Sequence, residues 1–583
     1  MSATPFAPGA PAAASRTIRV DRRARTVLTL AIVAWSAACT TGQPIGPDAA
    51  SAPHGNSSVP AALSITPPSA TVKIGGTITL AAVVTNSAGQ PIAGQTVTWQ
   101  STAKSIASVS TGGTIAGVAT GTTSIVATVD GITASTTIAV VPNATASAAL
   151  STPAQVIKGW GLYPTGESGL YNRKAMRDAV YATGLTFIRV QADPALYDGG
   201  STLSDIAIDP TTLTVLEQVL AEASSYGVNS YIMSVWSPPA AMKTNNSVLG
   251  SSNGSVGSLK TTSEAAFVAY LTKVMLTLQA DGMPLPSALS IQNEPESASP
   301  WGGCVYTPAQ WVRVIKAVRA SFDANGLSGV VLFGPETGQY TSVLYADPTT
   351  HSPGYFGGPG FPAITGDAAL AHAVGAYAVH TYGECEIAGL NAGIQAAPRD
   401  VWMTEFSQPT GTTETEWTLD MLRALGAHLT LVPQNYWAWW NGWALATTPD
   451  NQSLLAGDQT PVYSKRYWAL KQLWTTVRPG WRVTHMTTTD ATLNVTLGSQ
   501  NPCTARIDLT AFVSPDGTSA AVLMVNPTTT AKLLAVSGLP GSAAQPYRSD
   551  ANADMAAQPL VAITGGVADV PLPPMSAVLV VTH

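Results

Sequence analysis

Two short segments place a carboxylate where it could do chemistry: Ser290-Ile291-Gln292-Asn293-Glu294-Pro295 and Trp402-Met403-Thr404-Glu405-Phe406. Each glutamate closes a strand-like apolar run. Counted along the chain, these runs are the fourth and seventh of a series whose strand ends would converge on one open face in a (β/α)8 barrel. Two carboxyl groups facing each other there could divide the work of cleaving a glycosidic bond. One protonates the departing oxygen while the other attacks the anomeric carbon. Retention of configuration by this route needs the groups about 5–5.5 Å apart. Glu294 is the candidate acid/base and Glu405 the candidate nucleophile.

The elements that must hold them follow from hydrophobic periodicity. Apolar runs fall at 156–157, 185–190, 228–236, 288–292, 330–333, 376–379, 401–406 and 435–439. Helical patterns lie between most of them, with Pro308 opening one and Gly326 following its end. Such alternation predicts a (β/α)8 TIM barrel over 143–481. A doubly wound sheet is the alternative, but no Gly-rich phosphate loop follows the first run. Upstream, 60–142 alternates Thr, Val and Ile between turn signals such as Gly75-Gly76 and Asp130-Gly131, which predicts a small all-β Ig-like sandwich. After Trp481 the pattern returns to short β runs, so 482–583 is expected to form a side β-sandwich. The fold expected is therefore multidomain.

Aromatic rings stack on the C–H faces of sugars. All but two of the 15 tryptophans lie between Trp160 and Trp481, and Tyr436-Trp437-Ala438-Trp439-Trp440 is the densest group. Alternation puts Trp437 and Trp439 on one face. Trp439 is the expected floor of a sugar site, Trp236 a side wall and Trp440 outer packing.

Trp99, Ser105-Ile106-Ala107-Ser108-Val109 and 113–119 resemble the bacterial immunoglobulin-like group 2 pattern, which implies a spacer or presentation module. Five ordered segments of the larger part resemble glycoside hydrolase family 30. They are Trp236-Ser237-Pro238-Pro239-Ala240 with Met242-Lys243-Thr244-Asn245, then Asn293-Glu294-Pro295, His380-Thr381-Tyr382, Trp402-Met403-Thr404-Glu405, and Ser464-Lys465-Arg466-Tyr467 leading to Val477-Arg478-Pro479-Gly480. The resemblance covers 156–583. It implies that Asn293 bonds the sugar 2-hydroxyl and that Arg189 keeps Glu405 ionised. It further implies that Tyr382 bonds the nucleophile and that His380 lines the subsite; a satisfied barrel histidine is the other reading of His380. One departure concerns substrate. Relatives that read the glucuronate branch of xylan carry an arginine pair after the eighth strand, where this chain has Trp440-Asn441-Gly442-Trp443. Gly161-Leu162-Tyr163, after the first run, also departs from the usual doubled glycine.

The remaining features bound location and partners. Arg16, Arg19, Arg22, Arg23 and Arg25 precede an apolar stretch ending Ser36-Ala37-Ala38-Cys39. That is the order of a lipoprotein signal over 1–39 with Cys39 as lipid acceptor, although a plain secretory signal is the alternative. A Ser/Pro/Gly linker over 40–59 follows. Export to the cell envelope or beyond is expected, with membrane contact only through the lipid. Cys304 and Cys385 form a possible disulfide in an oxidising compartment. No Cys or His cluster has metal-site spacing, so no metal or cofactor is expected. Only 11% of residues are charged and the net charge is −6, with no dense basic tract after the N-terminus, which argues against nucleic acid. The partner expected is a β-linked polysaccharide or oligosaccharide, bound by a monomer. Xylan cleaved internally is the first reading, with an exo-acting β-glycosidase or a β-1,6-glucanase or galactanase as alternatives. A non-catalytic surface carbohydrate-binding or adhesion protein is the alternative of another class, and both strand-end glutamates argue against it.

Overall fold

Glycines and aromatic rings set the geometry of the barrel. The computed structural model describes residues 58–164, 173–338, 346–347, 352–353, 362–381, 394–407, 409–495 and 506–583. The signal-like segment with Cys39, as well as Tyr382 and Cys385, lies outside the described residues. Eight parallel strands close on themselves. They are β1 (Gly159–Leu162), β2 (Phe187–Gln191), β3 (Tyr231–Ser234), β4 (Ala288–Ser290), β5 (Val331–Thr337), β6 (Ala376–His380), β7 (Asp400–Phe406) and β8 (Gln434–Trp439). β1 pairs with β8 to complete the ring.

Phe187, Ile232, Ala288, Phe333, Ala376, Ala378, Trp402 and Ala438 fill the interior, joined by Tyr436. Trp402 packs 4.8 Å from Tyr436 and 4.9 Å from Phe333 between ring centroids. Rings of that size leave β1 no room for side chains. A Cβ on Gly159 would lie 2.6 Å from the Tyr436 ring, and one on Gly161 would lie 2.4 Å from the Phe187 ring. The first strand is thus Gly-Trp-Gly-Leu rather than the Val156-Ile157 run expected. Val156 instead makes an isolated bridge to Arg482.

Helices between the strands cover the barrel's outer face. The helix Glu414–Leu431 opens on a capping box between Thr413 and Glu416. Val483, Phe512, Leu523, Val525 and Leu579 of the side sandwich share one apolar core with the barrel and its helices. The sandwich differs from expectation in its boundary. One of its sheets runs Met486–Thr488, Ala144–Ala148, Lys532–Ser537 and Val567–Leu572. Ala144–Ala148 lies parallel to Lys532–Ser537 and antiparallel to Met486–Thr488, so chain from both sides of the barrel builds this domain.

Upstream, strands over 62–141 enclose a separate small core of Ile65, Val72, Leu80, Ile115, Ile125, Ile138 and Val140. Lys73 of this module forms an ion pair with Asp569 of the sandwich. Among the described residues, no helix is long and apolar enough to cross a membrane.

The pairing of Ala144–Ala148 makes the domain boundary testable. A chain beginning at Asn143 is expected to be soluble and cooperatively folded. One beginning at Val156 removes an interior strand and exposes two unpaired edges, so it is expected to aggregate. Equal solubility and equal urea midpoints for the two would contradict this assignment.

Candidate active site

A buried arginine organises the mouth of the barrel. Arg189 of β2 follows Phe187 in the inward phase and has no exposed surface. Its Nη1 donates to Glu405 Oε2 at 2.9 Å and its Nη2 to Asn293 Oδ1 at 2.6 Å. Nε and Nη2 both reach Glu336 Oε1, at 3.2 and 3.0 Å, and Nε also donates to Ser234 Oγ at 3.2 Å. The Trp236 ring covers the guanidinium at 4.3 Å. Strands β2, β3, β5 and β7 and the turn after β4 are thereby fixed to one cation.

Glu294 lies just past β4 and Glu405 near the end of β7. His380 ends β6, and its Nδ1 lies 3.0 Å from Glu294 Oε1. A carboxylate oxygen from each of Glu294 and Glu405 and a ring nitrogen of His380 all lie within 4.8 Å of one another. Among the described residues this is the one such group able to offer three ligand atoms to a metal ion. The Arg189 guanidinium on Glu405 already supplies positive charge there and disfavours a second cation.

The backbone is strained where the carboxylates enter. Glu294 has φ +43° and Glu336 has φ +54°, both left-handed and costly for a residue with a side chain. The Glu294 N–H donates to Glu336 O at 3.1 Å, and the Asn293 N–H donates to Val235 O at 2.7 Å, so neighbouring strands hold the turn.

Charge and burial act against each other in this cluster. Burial raises the Glu405 carboxyl above its ordinary pKa, with His380 and Arg189 opposing the rise. Burial lowers the pKa of His380, but Glu405 and Glu294 more than offset this and raise it on balance. Burial, with the charge of Glu294 adding to it, pushes Glu296 up to about 8. Glu296 Oε1 accepts from the Gly338 N–H at 2.6 Å, while its buried Oε2 has no partner among the described residues.

The aromatic assignment needs correction. Tyr436 and Ala438 point into the barrel, so Trp437 and Trp439 point outward. Trp439 is fully buried behind β8, packs 5.8 Å from Phe406, and donates from Nε1 to Gln452 O at 2.6 Å. It is not the floor of a sugar site. Trp440 continues the inward phase instead. It stacks on Tyr163 at 4.4 Å and lies 5.9 Å from Trp236, forming a three-ring wall beside Arg189.

Cys304 is a buried thiol that makes no disulfide among the described residues, and Cys385, its possible bridge partner, lies outside them. Burial pushes the thiol up to about 12, against the opposing charge of Lys243.

The site therefore brings together Arg189, Trp236, Asn293, Glu294, His380 and Glu405. Sequence reasoning missed Glu336, Glu296, Tyr163 and Trp440. For Glu336 the available signal was a carboxylate close behind a strand-like run, set off from it by Gly334-Pro335. For Trp440 it was the phase of alternation along β8.

Residues 61–140 match the family described as Bacterial Ig-like domain (group 2). No curated protein matches the chain. Solved structures share the fold of the larger part. A glycoside hydrolase family 30 subfamily 8 xylanase from Clostridium acetobutylicum is 21% identical, covering 75% of this chain and 99% of its own, with TM-score 0.56. The catalytic domain of a family 30 xylanase from Talaromyces cellulolyticus is 18% identical, covering 75% and 100%, with TM-score 0.58. An endo-β1,6-glucanase is 16% identical, covering 75% and 93%, with TM-score 0.54.

The buried Glu296 yields a prediction about pH and stability. Between the ordinary carboxylate pKa and about 8, the folded state holds a proton at Glu296 that the unfolded chain has released. Stability should therefore fall as pH rises through that window, and level off above it. Glu296→Gln is expected to remove this component, so the variant gains on the parent between pH 5 and pH 8. Urea midpoints across the range measure it. Parallel curves for the two proteins would contradict the assignment.

Proposed function

We propose that this chain is a retaining glycoside hydrolase that cleaves a β-linked polysaccharide by double displacement. The carboxylate spacing carries the reading. Oxygens of Glu294 and Glu405 within 4.8 Å fit the retaining arrangement, and the inverting arrangement needs about 6.5–9.5 Å. Glu405 attacks the anomeric carbon while Glu294 gives its proton to the departing oxygen. The resulting ester on Glu405 is released by a water that Glu294 deprotonates. Arg189 holds Oε2 of Glu405, which aims the other oxygen at the sugar. With Oδ1 of Asn293 committed to Arg189, its amide N–H groups are left to meet a sugar hydroxyl. Tyr163, Trp236 and Trp440 offer ring faces for the sugar.

Internal cleavage of xylan remains the first reading of the substrate, supported by the xylanase neighbours. A β-1,6-glucan is the second, because one neighbour is an endo-β1,6-glucanase and the stretch after β8 has no arginine fork. Lys243 and Arg466 do not supply one. Lys243 is buried on Ser237 and two carbonyls, and Arg466 is buried on Glu414 and Asp450 O. Binding should therefore not depend on a glucuronate branch. Export, lipid attachment at Cys39 and a spacer role for the Ig-like module complete the proposal.

Two variants test the roles. Glu405→Gln is expected to abolish turnover of every substrate. Glu294→Ala should lose about 10²–10⁴-fold on polysaccharide. It should keep slow turnover of dinitrophenyl β-glycosides, whose leaving group needs no proton, and azide should accelerate that turnover and yield the β-glycosyl azide. A Glu294→Ala protein with an undiminished polysaccharide rate would contradict the acid/base assignment.

A further inference from the structure

Seven residues beyond Glu294, on the same loop, Trp301 stands 60% exposed. Tryptophan is normally among the more buried side chains, and the cost of this exposure is not explained by slack in the loop. The Tyr306 N–H closes the loop onto Pro295 O at 2.8 Å. Its middle is laced to the loop after β3. Gly250 N–H donates to Trp301 O at 2.8 Å, Ser251 N–H to Ser299 O at 2.8 Å and Val305 N–H to Gly257 O at 2.9 Å. The buried Lys243 ammonium ties both loops together by donating to Ser237 Oγ at 3.0 Å, to Leu249 O at 2.8 Å and to Gly303 O. Trp301 is held out on a rigid frame.

That frame borders the cleft. The side of Gly302 that would carry a Cβ faces Trp236, with 3.6 Å to the Trp236 Cβ. Trp236 is the ring that covers Arg189 and adjoins Trp440. An inner set of rings thus lies beside Arg189, and Trp301, the outer ring, is carried on backbone that borders them. A pocket that took one terminal sugar would have no use for the outer ring. A chain that continues beyond the cleaved unit would pass over it.

We infer that Trp301 is an outer sugar-stacking platform, which binds a unit of a β-linked chain beyond the one that reacts and so favours long substrates. This inference rests on the glycosidase reading and adds to it a residue that selects for chain length. An exposed indole face suits the C–H face of a pyranose, and no charged group is required on the ligand.

The experiment uses the full chain, as the parent, Trp301→Ala and Trp301→Phe. Substrates are aryl β-xylosides and β-glucosides with a single sugar, and β-1,4-xylo- and β-1,6-gluco-oligosaccharides of increasing length. In the parent, kcat/KM should rise with length in the series it cleaves. Trp301→Ala should lose about tenfold on the longest member, the equivalent of one stacking contact. It should stay within about twofold on the aryl monoglycoside, and Trp301→Phe should recover most of the loss. An unchanged length dependence, or an equal loss on long and short substrates, overturns the platform while leaving the glycosidase reading intact. If the parent hydrolyses no glycoside at all, that reading has failed. Fluorescence titration with the same oligosaccharides then tests the platform alone: quenching that Trp301→Ala abolishes supports it, and absence of binding overturns it.

Discussion

A guanidinium sealed inside a barrel mouth must find acceptors for its N–H groups there, because burying an unpaired charge is prohibitive. Arg189 finds them on Glu336, Glu405, Asn293 and Ser234, with the Trp236 face above it. The consequence for chemistry lies in having two carboxylates rather than one. In the proposed double displacement Glu405 would become a neutral ester, which would strand a buried cation whose sole counter-ion it was. Glu336, which has no bond-making role in that proposal, would keep Arg189 paired throughout. On that proposal Glu405 could change charge without destabilising the frame that aims it.

The same frame accounts for the two strained residues. Left-handed backbone at Glu294 and Glu336 costs about 1–3 kcal/mol each, and the bond from the Glu294 N–H to Glu336 O links them. Below this layer, Phe187, Phe333, Trp402 and Tyr436 fill the barrel to a density that β1 can meet only with glycine. Outside, the shared core with the side sandwich holds the helices that back β7 and β8. Among the described residues each layer packs closely against its neighbour.

What could be read from sequence divides along physical lines. Glu294 and Glu405 were legible because each ends an apolar run, and strand ends meet at one face of a barrel. Glu336 was not, since Gly334-Pro335 reads as a strand terminus. β5 instead runs through the proline with a register shift between Pro335 and Thr337. Along β8 the period of two was clear, but period alone does not say which face is inward; that was set by Tyr436 and Ala438 against the barrel's other rings. The Gly-Trp-Gly-Leu strand carries no apolar alternation and was invisible as a strand. Ala144–Ala148 was assigned to the wrong domain because its partners lie more than 300 residues away.

The central claim is a covalent intermediate on Glu405, and trapping it is the most direct measurement. An activated 2-deoxy-2-fluoro β-glycoside slows release of the ester more than its formation, so the labelled protein accumulates. Peptide mass mapping should then locate a single added glycosyl group on Glu405, with loss of activity in step with labelling. Labelling at Glu336 or Glu294 instead, or turnover of an activated β-glycoside by a protein that never takes up the label, would contradict the account.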